Sequence, residues 1–154
     1  METSSSHIEH TGPGAWRIAM DATEATLSVG ASGRRRPLSD PPGVSGAFYL
    51  RPSGALAGFA LRLPLRPPAP GAEAPVLLWE SADLESEGRA WLRFGRQEVC
   101  RAVSVLCAGV PGAHPYVKIV METAFSSWSL RLPGVRWPRP RMVTLRLFSE
   151  IRPA

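Results

Sequence analysis

Histidine and cysteine are the side chains of this sequence that could act as nucleophile, general base or metal ligand, and the chain has three histidines and two cysteines. His7 and His10 belong to the stretch HIEH in a polar N-terminal segment, which lacks the rigid ligand spacing of strong metal motifs. A Ser-His-Asp or Cys-His arrangement would therefore have to use His114, in the segment GAHPY. Cys100 and Cys107 fall in an apolar run, where thiols are usually inert. We therefore predict a non-catalytic protein without a metal or a cofactor.

Residues 32–43, SGRRRPLSDPPG, contain the most distinctive short motif of the chain. An arginine three residues before Ser39 and a proline two residues after it suit a basophilic kinase followed by a phosphoserine adaptor of the 14-3-3 type. The candidate phosphosite is Ser39, beside Arg35 and Arg36. The three prolines of the segment disfavour strand and helix, so it is predicted to be an exposed loop between strands. The alternative is a plain loop whose arginines are only solvated charge.

Arg62, Arg131 and Arg146 alternate with leucines in the segments LRLPLR, SLRLP and VTLRLF. A period of two places the leucines on one face of a strand and the arginines on the other. Together with Trp137, which lies in a proline-rich irregular segment, these arginines could bind a nucleic acid, an anionic polysaccharide or a sugar by charge and stacking. The alternative is the polar outer face of a β-sandwich, which alternation alone would produce.

The composition indicates one compact domain. The chain has 154 residues with sixteen prolines and fourteen glycines, a share that favours many turns and few long helices. Residues 1–14 are polar and are predicted to form a flexible tail, and residues 15–154 a single domain. The net charge is +5, and Lys118 is the only lysine among eighteen basic residues, as a GC-rich coding sequence would produce. The basic charge is therefore a weak pointer to nucleic acid.

Short β-like segments separated by turn residues follow one another from residue 16 to residue 151. They predict an antiparallel β-sandwich or jelly-roll-like barrel of about eight to ten short strands. The segment 126–133 is predicted to be one of these strands. Alternation also predicts the leucines of the core, which are Leu61, Leu63, Leu130, Leu132, Leu145 and Leu147. Trp16, Trp79 and Trp91 lie in strongly apolar runs and are predicted to join that core.

Cys100 and Cys107 lie within VCRAVSVLCA, residues 99–108, which is predicted to form one strand. Seven residues at about 3.3 Å each would separate their backbones by more than about 20 Å, too far for a disulfide. Both are therefore predicted to be buried free thiols that react slowly. The sequence shows no signal peptide and no stretch apolar enough to span a membrane, so the expected location is intracellular, in the cytoplasm or the nucleus.

One stretch carries a resemblance to a known family. Residues 45–71, SGAFYLRPSGALAGFALRLPLRPPAPG, are similar to the early strand, loop and strand of trimeric dUTPase-like barrels. The glycine-rich motif with the catalytic aspartate of those enzymes has no counterpart in this sequence. The resemblance therefore implies an inactive dUTPase-like barrel, of the kind that viruses keep as an interaction module.

Taken together, these patterns favour a non-catalytic interaction module that binds another protein through its loops and one sheet edge. The partners compatible with this interpretation are another protein, a phosphoserine adaptor bound at Ser39 and a second copy of the chain. The alternatives are a domain that binds polyanion or carbohydrate through Arg62, Arg131, Arg146 and Trp137, and an inactive dUTPase-like barrel. Salt separates the first alternative from the leading interpretation, because a contact with phosphates weakens steeply as salt rises.

Overall fold

The computed structural model of the chain describes residues 15–18, 23–30, 36–39, 43–50, 56–65, 67, 69–84, 88–113, 116–133 and 138–153. These residues form eleven strands and no helix. The strands are β1 Ala15–Ile18, β2 Glu24–Val29, β3 Arg36–Ser39, β4 Ser45–Leu50, β5 Leu56–Pro64, β6 Val76–Ser81, β7 Arg89–Phe94, β8 Gln97–Ala102, β9 Ser104–Val110, β10 Tyr116–Ser126 and β11 Met142–Pro153. The predicted tail, residues 1–14, lies outside the described residues.

The strands pack as two antiparallel layers of five and four strands, which confirms the predicted sandwich. Strands β4 to β8 pair in chain order and form the five-stranded layer, while the four-stranded layer has the order β2, β11, β10, β9. The short strand β1 pairs with both β4 and β11, and so joins the two layers at one side. The other short strand, β3, pairs with β2 and extends the four-stranded layer at its end.

The core lies between the two layers and follows the predicted alternation. The six predicted leucines are buried, none of them more than 4% exposed, and they are Leu61, Leu63, Leu130, Leu132, Leu145 and Leu147. Arg62, Arg131 and Arg146 are exposed, as expected from the same period. Burial of a leucine side chain contributes about 1.5 to 3 kcal/mol, so these positions account for a large part of the stability of the sandwich.

An aromatic cluster fills the centre of the five-stranded layer. The rings of Phe59 and Trp79 meet edge to face with centroids 5.2 Å apart, and Phe48 lies 6.2 Å from Phe59. Gly58 allows the neighbouring strand to approach, since a Cβ at this position would come within 2.5 Å of the carbonyl oxygen of Ser81. The predicted burial of Trp79 is confirmed.

The segment 126–133 reaches the core without forming the predicted strand. Strand β10 ends at Ser126, whose carbonyl oxygen accepts hydrogen bonds from the backbone N–H groups of Ser129 and Leu130. These bonds fold the chain into a turn from which Leu130 and Leu132 still point into the core. The burial prediction was therefore correct and the strand prediction wrong, because a turn can bury alternate residues as a strand does.

Residues 36–39 form strand β3, and the prediction of a loop for this part of the chain was wrong. The strand pairs with β2 through a register that shifts between Leu27 and Ser28. Proline cannot donate to a strand ladder, but it is tolerated in an edge strand, where one side of the backbone needs no partner. Pro37 is exposed in such an edge strand.

Residues 99–108 belong to two strands, β8 and β9, and not to the single strand that was predicted. The chain bends at Val103, whose N–H donates to the carbonyl oxygen of Gly88 at 2.9 Å. Beside the bend, the Thr123 hydroxyl donates to the carbonyl oxygen of Ala102 at 2.8 Å. The bend carries the chain from the five-stranded layer to the four-stranded layer, so the two halves of the apolar run have different surroundings.

Candidate functional site

Strand β9, Ser104–Val110, forms an open edge of the four-stranded layer. Within the described part of the chain it pairs only with β10. Its seven residues, SVLCAGV, include no charged residue and no proline. An edge strand presents a row of backbone N–H and C=O groups that another strand can pair with. We refer to this strand and its open side as the β9 edge.

Both faces of the β9 edge carry exposed residues, although Val105 on the inner face packs against the core. Leu106 points to the outer face of the layer and is 73% exposed, the largest exposure among the described large hydrophobic side chains. Cys107 lies on the inner face, directly opposite the buried Ile119, and is nevertheless exposed. A Cβ added at Gly109 would meet no atom within 4 Å. Within the described residues the inner face of β9 is therefore covered at Val105 and open at Cys107 and Gly109, while the outer face is open at Leu106.

The outer face beside the β9 edge carries an apolar row that crosses three strands. Val120 of β10 lies directly opposite Leu106 of β9 and directly opposite Phe148 of β11. Val120 and Phe148 are half-buried, so the exposure of the row increases toward Leu106 at the open edge. We call Phe148, Val120 and Leu106 the apolar row.

Charged side chains of both signs flank the apolar row. On one side Lys118 stands between Glu150 and Ala108, and on the other side Glu122 stands between Arg146 and Ser104. Each flanking row thus carries a pair of opposite charges on β10 and β11 and ends in a small side chain on β9. We call them the Lys118 row and the Glu122 row.

The two cysteines differ from their prediction in burial. Both are free, as predicted, but Cys100 is only half-buried and Cys107 is exposed. The prediction of burial was wrong for two different reasons. Cys100 lies on β8 directly opposite the outward-facing Trp91, and Cys107 lies in β9, which pairs only with β10 within the described part of the chain. Atoms packed around the sulfur still desolvate it in part, and this desolvation raises the pKa of the Cys107 thiol above its ordinary value.

Trp91 is 41% exposed on the outer face of the five-stranded layer, so its predicted burial was wrong. Its neighbours Ala90 and Leu92 take the inward positions of β7, and alternation places Trp91 outside. The guanidinium of Arg93 lies 5.8 Å from the centroid of the Trp91 ring, within the range of a cation–π contact. The side chain of Trp16 lies outside the described part of the structure.

Arg93 is held by two carboxylates. Its Nε donates to Oε2 of Glu98 at 2.9 Å, and its Nη1 donates to Glu80. The hydrogen bond to Glu98, supported by the charges of both acids, raises the pKa of Arg93 above its ordinary value. Two acids thus compensate this arginine, and it offers little net positive charge to an anionic polymer.

The residues predicted to bind a polyanion are not gathered on one surface. Arg62 lies on the outer face of the five-stranded layer and Arg146 on the outer face of the four-stranded layer. Arg131 lies in the turn after β10, where its backbone N–H donates to Oε1 of Gln97 at 2.8 Å. Trp137 lies outside the described residues.

The remaining predicted site residues lie in the edge strand β3 or outside the described residues. Arg36 and Ser39 belong to β3, at the far end of the layer from β9. Arg35 lies outside the described residues, as do the three histidines His7, His10 and His114. Among the side chains that the structure describes, no three His, Cys, Asp or Glu residues come together in a way that could hold a metal ion.

Comparison with known proteins identifies no family. No protein-family model matches the chain, and no curated protein matches it. Among solved structures, the chain is similar to a multidomain protein including DUF1735 from Bacteroides ovatus, with a TM-score of 0.29 and 8% sequence identity. The match covers 92% of this chain and 57% of the other, so this chain spans little more than half of that protein's length. A TM-score this low supports no statement about function.

The described residues contain no helix long and apolar enough to cross a membrane.

Proposed function

We propose that the chain is a non-catalytic β-sandwich module that binds a protein partner by pairing with an extended segment of that partner along the β9 edge. The observation that supports this function best is the β9 edge itself, an uncharged seven-residue strand with Leu106 73% exposed. Natural proteins usually protect such an edge with charge, proline or a covering loop, because an unprotected edge pairs with other chains.

Backbone pairing would supply most of the affinity. A segment that adds a strand to a sheet edge gains main-chain hydrogen bonds along its length, and the pockets for its alternate side chains provide specificity. The uncharged sequence of β9 favours this mode, because no charged group of the strand itself loses water when the partner arrives. Leu106 would contact an apolar side chain of the partner on the outer face, and its exposed surface would leave water.

The flanking charges would orient the partner. Lys118 is exposed and lies one strand away from the edge, and Glu122 lies at the same distance on the other side of the apolar row. Charges at the rim of an interface contribute more to orientation and to the association rate than to affinity. A segment that is apolar at its centre, with an acidic side chain near Lys118 and a basic one near Glu122, is the expected ligand.

Site-specific photo-crosslinking tests this function. A photoreactive phenylalanine derivative replaces Leu106 in one variant and Arg62 in a matched control, since both positions are exposed and lie on different layers. We expect protein adducts at position 106 that are absent or much weaker at position 62. Equal adducts at both positions, or none at position 106, would contradict the proposed function.

Binding assays on the purified chain distinguish strand addition at the β9 edge from polyanion binding. Retention of the purified chain on heparin or on single-stranded nucleic acid, lost steeply as salt rises, would favour the arginine surface over the β9 edge. We expect at most the weak retention at low salt that a net charge of +5 produces, because Arg62 and Arg146 lie on different layers and two carboxylates hold Arg93.

A further inference from the structure

We infer that the partner of the β9 edge is a second copy of this chain, paired antiparallel with the first about a two-fold axis that passes beside Leu106. This inference rests on the proposed function, because it uses the same edge and names its occupant. It depends on the arrangement of side chains around β9, which is complementary to itself in one register. A two-fold contact places the same surface patch on both subunits, so such self-complementarity is what it requires.

An antiparallel pair with its two-fold axis at Leu106 determines which residues of the two copies face each other. With the axis at Leu106, this residue faces Leu106 of the second copy. Val105 then faces Cys107 of the second copy, and Ser104 faces its Ala108. Side chains directly opposite each other in an antiparallel pair share one face of the sheet. The outer residues of one copy therefore meet the outer residues of the other, and the two four-stranded layers continue as one sheet.

The apolar rows of the two copies become one row in this register. Phe148, Val120 and Leu106 of one copy would run directly into Leu106, Val120 and Phe148 of the other. The two Leu106 side chains, each 73% exposed in the single chain, would bury one another at the centre. Apolar pairs that lie directly opposite across strands stabilise a sheet, and this pair is the largest new contact of the dimer.

The flanking rows are complementary in charge in the same register. The Lys118 row of one copy continues into the Glu122 row of the other, with only the small side chains of Ala108 and Ser104 between the two charges. The backbones of Lys118 and the second copy's Glu122 would be about 14 Å apart, which is three strand spacings of about 4.8 Å. Strand side chains stand roughly perpendicular to the sheet, so the two charges attract each other across this distance without direct contact and serve mainly to orient the two copies. Opposite charges therefore face each other on both sides of the axis.

Neighbouring registers lose this complementarity. With the axis at Cys107, Leu106 would face Ala108 of the second copy, and the apolar row would run into the Lys118 row. With the axis at Val105, Leu106 would face Ser104, and the apolar row would run into the Glu122 row. Both registers end an apolar row against a charged row, so the axis at Leu106 is the one that the surface favours.

Sedimentation velocity over a wide range of protein concentration tests the dimer. A single strand pair is small for a protein interface, so we expect a reversible, concentration-dependent equilibrium between monomer and dimer. Leu106→Lys should weaken the dimer at least about tenfold, because it places two like charges directly opposite each other at the axis. Met142→Lys is the matched control, since Met142 is an exposed hydrophobic residue of the same layer, 52% exposed, and lies opposite Ser126, beyond the part of β10 that pairs with β9. It should leave the dimer unchanged. A wild-type chain that stays monomeric, or equal effects of the two substitutions, would overturn the inference.

Engineered cysteines test the register. In a background with Cys100→Ser and Cys107→Ser, the double substitution Ser104→Cys with Ala108→Cys should give a covalent dimer on mild oxidation. Ser104→Cys alone and Ala108→Cys alone should not, because each then faces a residue without a thiol. A native Cys107 that forms the covalent dimer in high yield would place the axis at Cys107 and overturn the register about Leu106.

Photo-crosslinking at position 106 distinguishes failure of this inference from failure of the proposed function. Adducts with twice the mass of the chain support the dimer. Adducts with a different protein, together with a wild-type chain that remains monomeric, overturn self-pairing and leave strand addition at β9 standing. Absence of adducts above the position 62 control overturns both.

Discussion

Strands β3 and β9 lie at the two ends of the same set of paired strands, and they differ in length, in charge and in proline content, three features that protect a sheet edge. Strand β3 has four residues, RPLS, with an arginine and a proline. Strand β9 has seven residues, SVLCAGV, with neither. Short length, charge and proline are the usual means by which proteins keep an edge from pairing with other chains. One end of the layer is thus closed by its sequence and the other is open.

The comparison indicates that the openness of β9 is a property of that strand and not of the fold. The same layer carries a protected edge at β3, so the sandwich accommodates one without difficulty. At β9 the inward-facing Val105 packs against the core, but the outward-facing Leu106 is 73% exposed and Cys107 is exposed as well. A strand that leaves a large apolar side chain this exposed is suited to form an interface.

The largest expected effect is on the free energy of unfolding. It distinguishes an inward-facing residue of the strands at the open edge from an outward-facing one. Ile119 of β10, directly opposite Cys107, is fully buried, and Ile119→Ala should lower the free energy of unfolding by about 2 to 5 kcal/mol. Leu106→Ala should lower it by no more than about 0.5 kcal/mol, since the side chain is mostly in water. Urea unfolding of the monomer measures both. Equal losses would mean that Leu106 belongs to the core and would remove the contrast between the two faces.

A smaller effect is expected from opening the protected edge. Pro37→Val restores a backbone donor to β3 and adds a side chain that favours strands, and it should increase association by a few-fold at high concentration. Protection of residues 36–39 from hydrogen exchange would locate the new contact. If association did not change, Pro37 would not contribute to the protection of the β3 edge. The short length of β3 and its arginine would then be sufficient to protect it.

The smallest effect concerns the Cys107 thiol. Partial desolvation raises the pKa of this thiol, and the thiolate is the reactive form, so its alkylation rate should reach half of its maximum at a higher pH than for a cysteine in a short peptide. The measurement is alkylation of a Cys100→Ser variant as a function of pH. Raising the protein concentration should slow alkylation further, because Cys107 is covered in the dimer. A midpoint at or below that of the peptide would show that the inner face of β9 is fully solvated.

The sequence predicted the core well and the edge poorly, for a physical reason. In LRLPLR and VTLRLF charged and apolar residues alternate, and the inward leucines Leu61, Leu63, Leu145 and Leu147 can be assigned from that period alone. In SVLCAGV no charged residue marks the outward positions, so a buried strand and an apolar edge strand have the same local pattern. Whether such a strand is buried or lies at an edge depends on which strands pair with it. Pairing between distant parts of the chain decides this.

At β3 the sequence pattern misled in the opposite direction, because the prolines predicted a loop where an edge strand forms. The prolines of residues 32–43 correctly disfavoured an interior strand, but they do not exclude an edge strand, which leaves one side of its backbone without partners. The position of β3 at the end of the layer follows from its pairing with β2 and could not be derived from the segment itself. The exposure of β9 likewise could not be predicted from the sequence of the strand, because it depends on where the chain bends at Val103.

Hydrogen exchange measured at low and high concentrations of the purified chain tests the central claim most directly, because it compares the backbones of β9 and β3 in one experiment. If β9 receives a strand from a second copy, its amides should become protected as the concentration rises, while those of β3 keep the same exchange rate. Protection should be lost in Leu106→Lys and retained in Met142→Lys. Exchange from β9 that is fast at every concentration, or protection that appears equally at β3, would contradict the account.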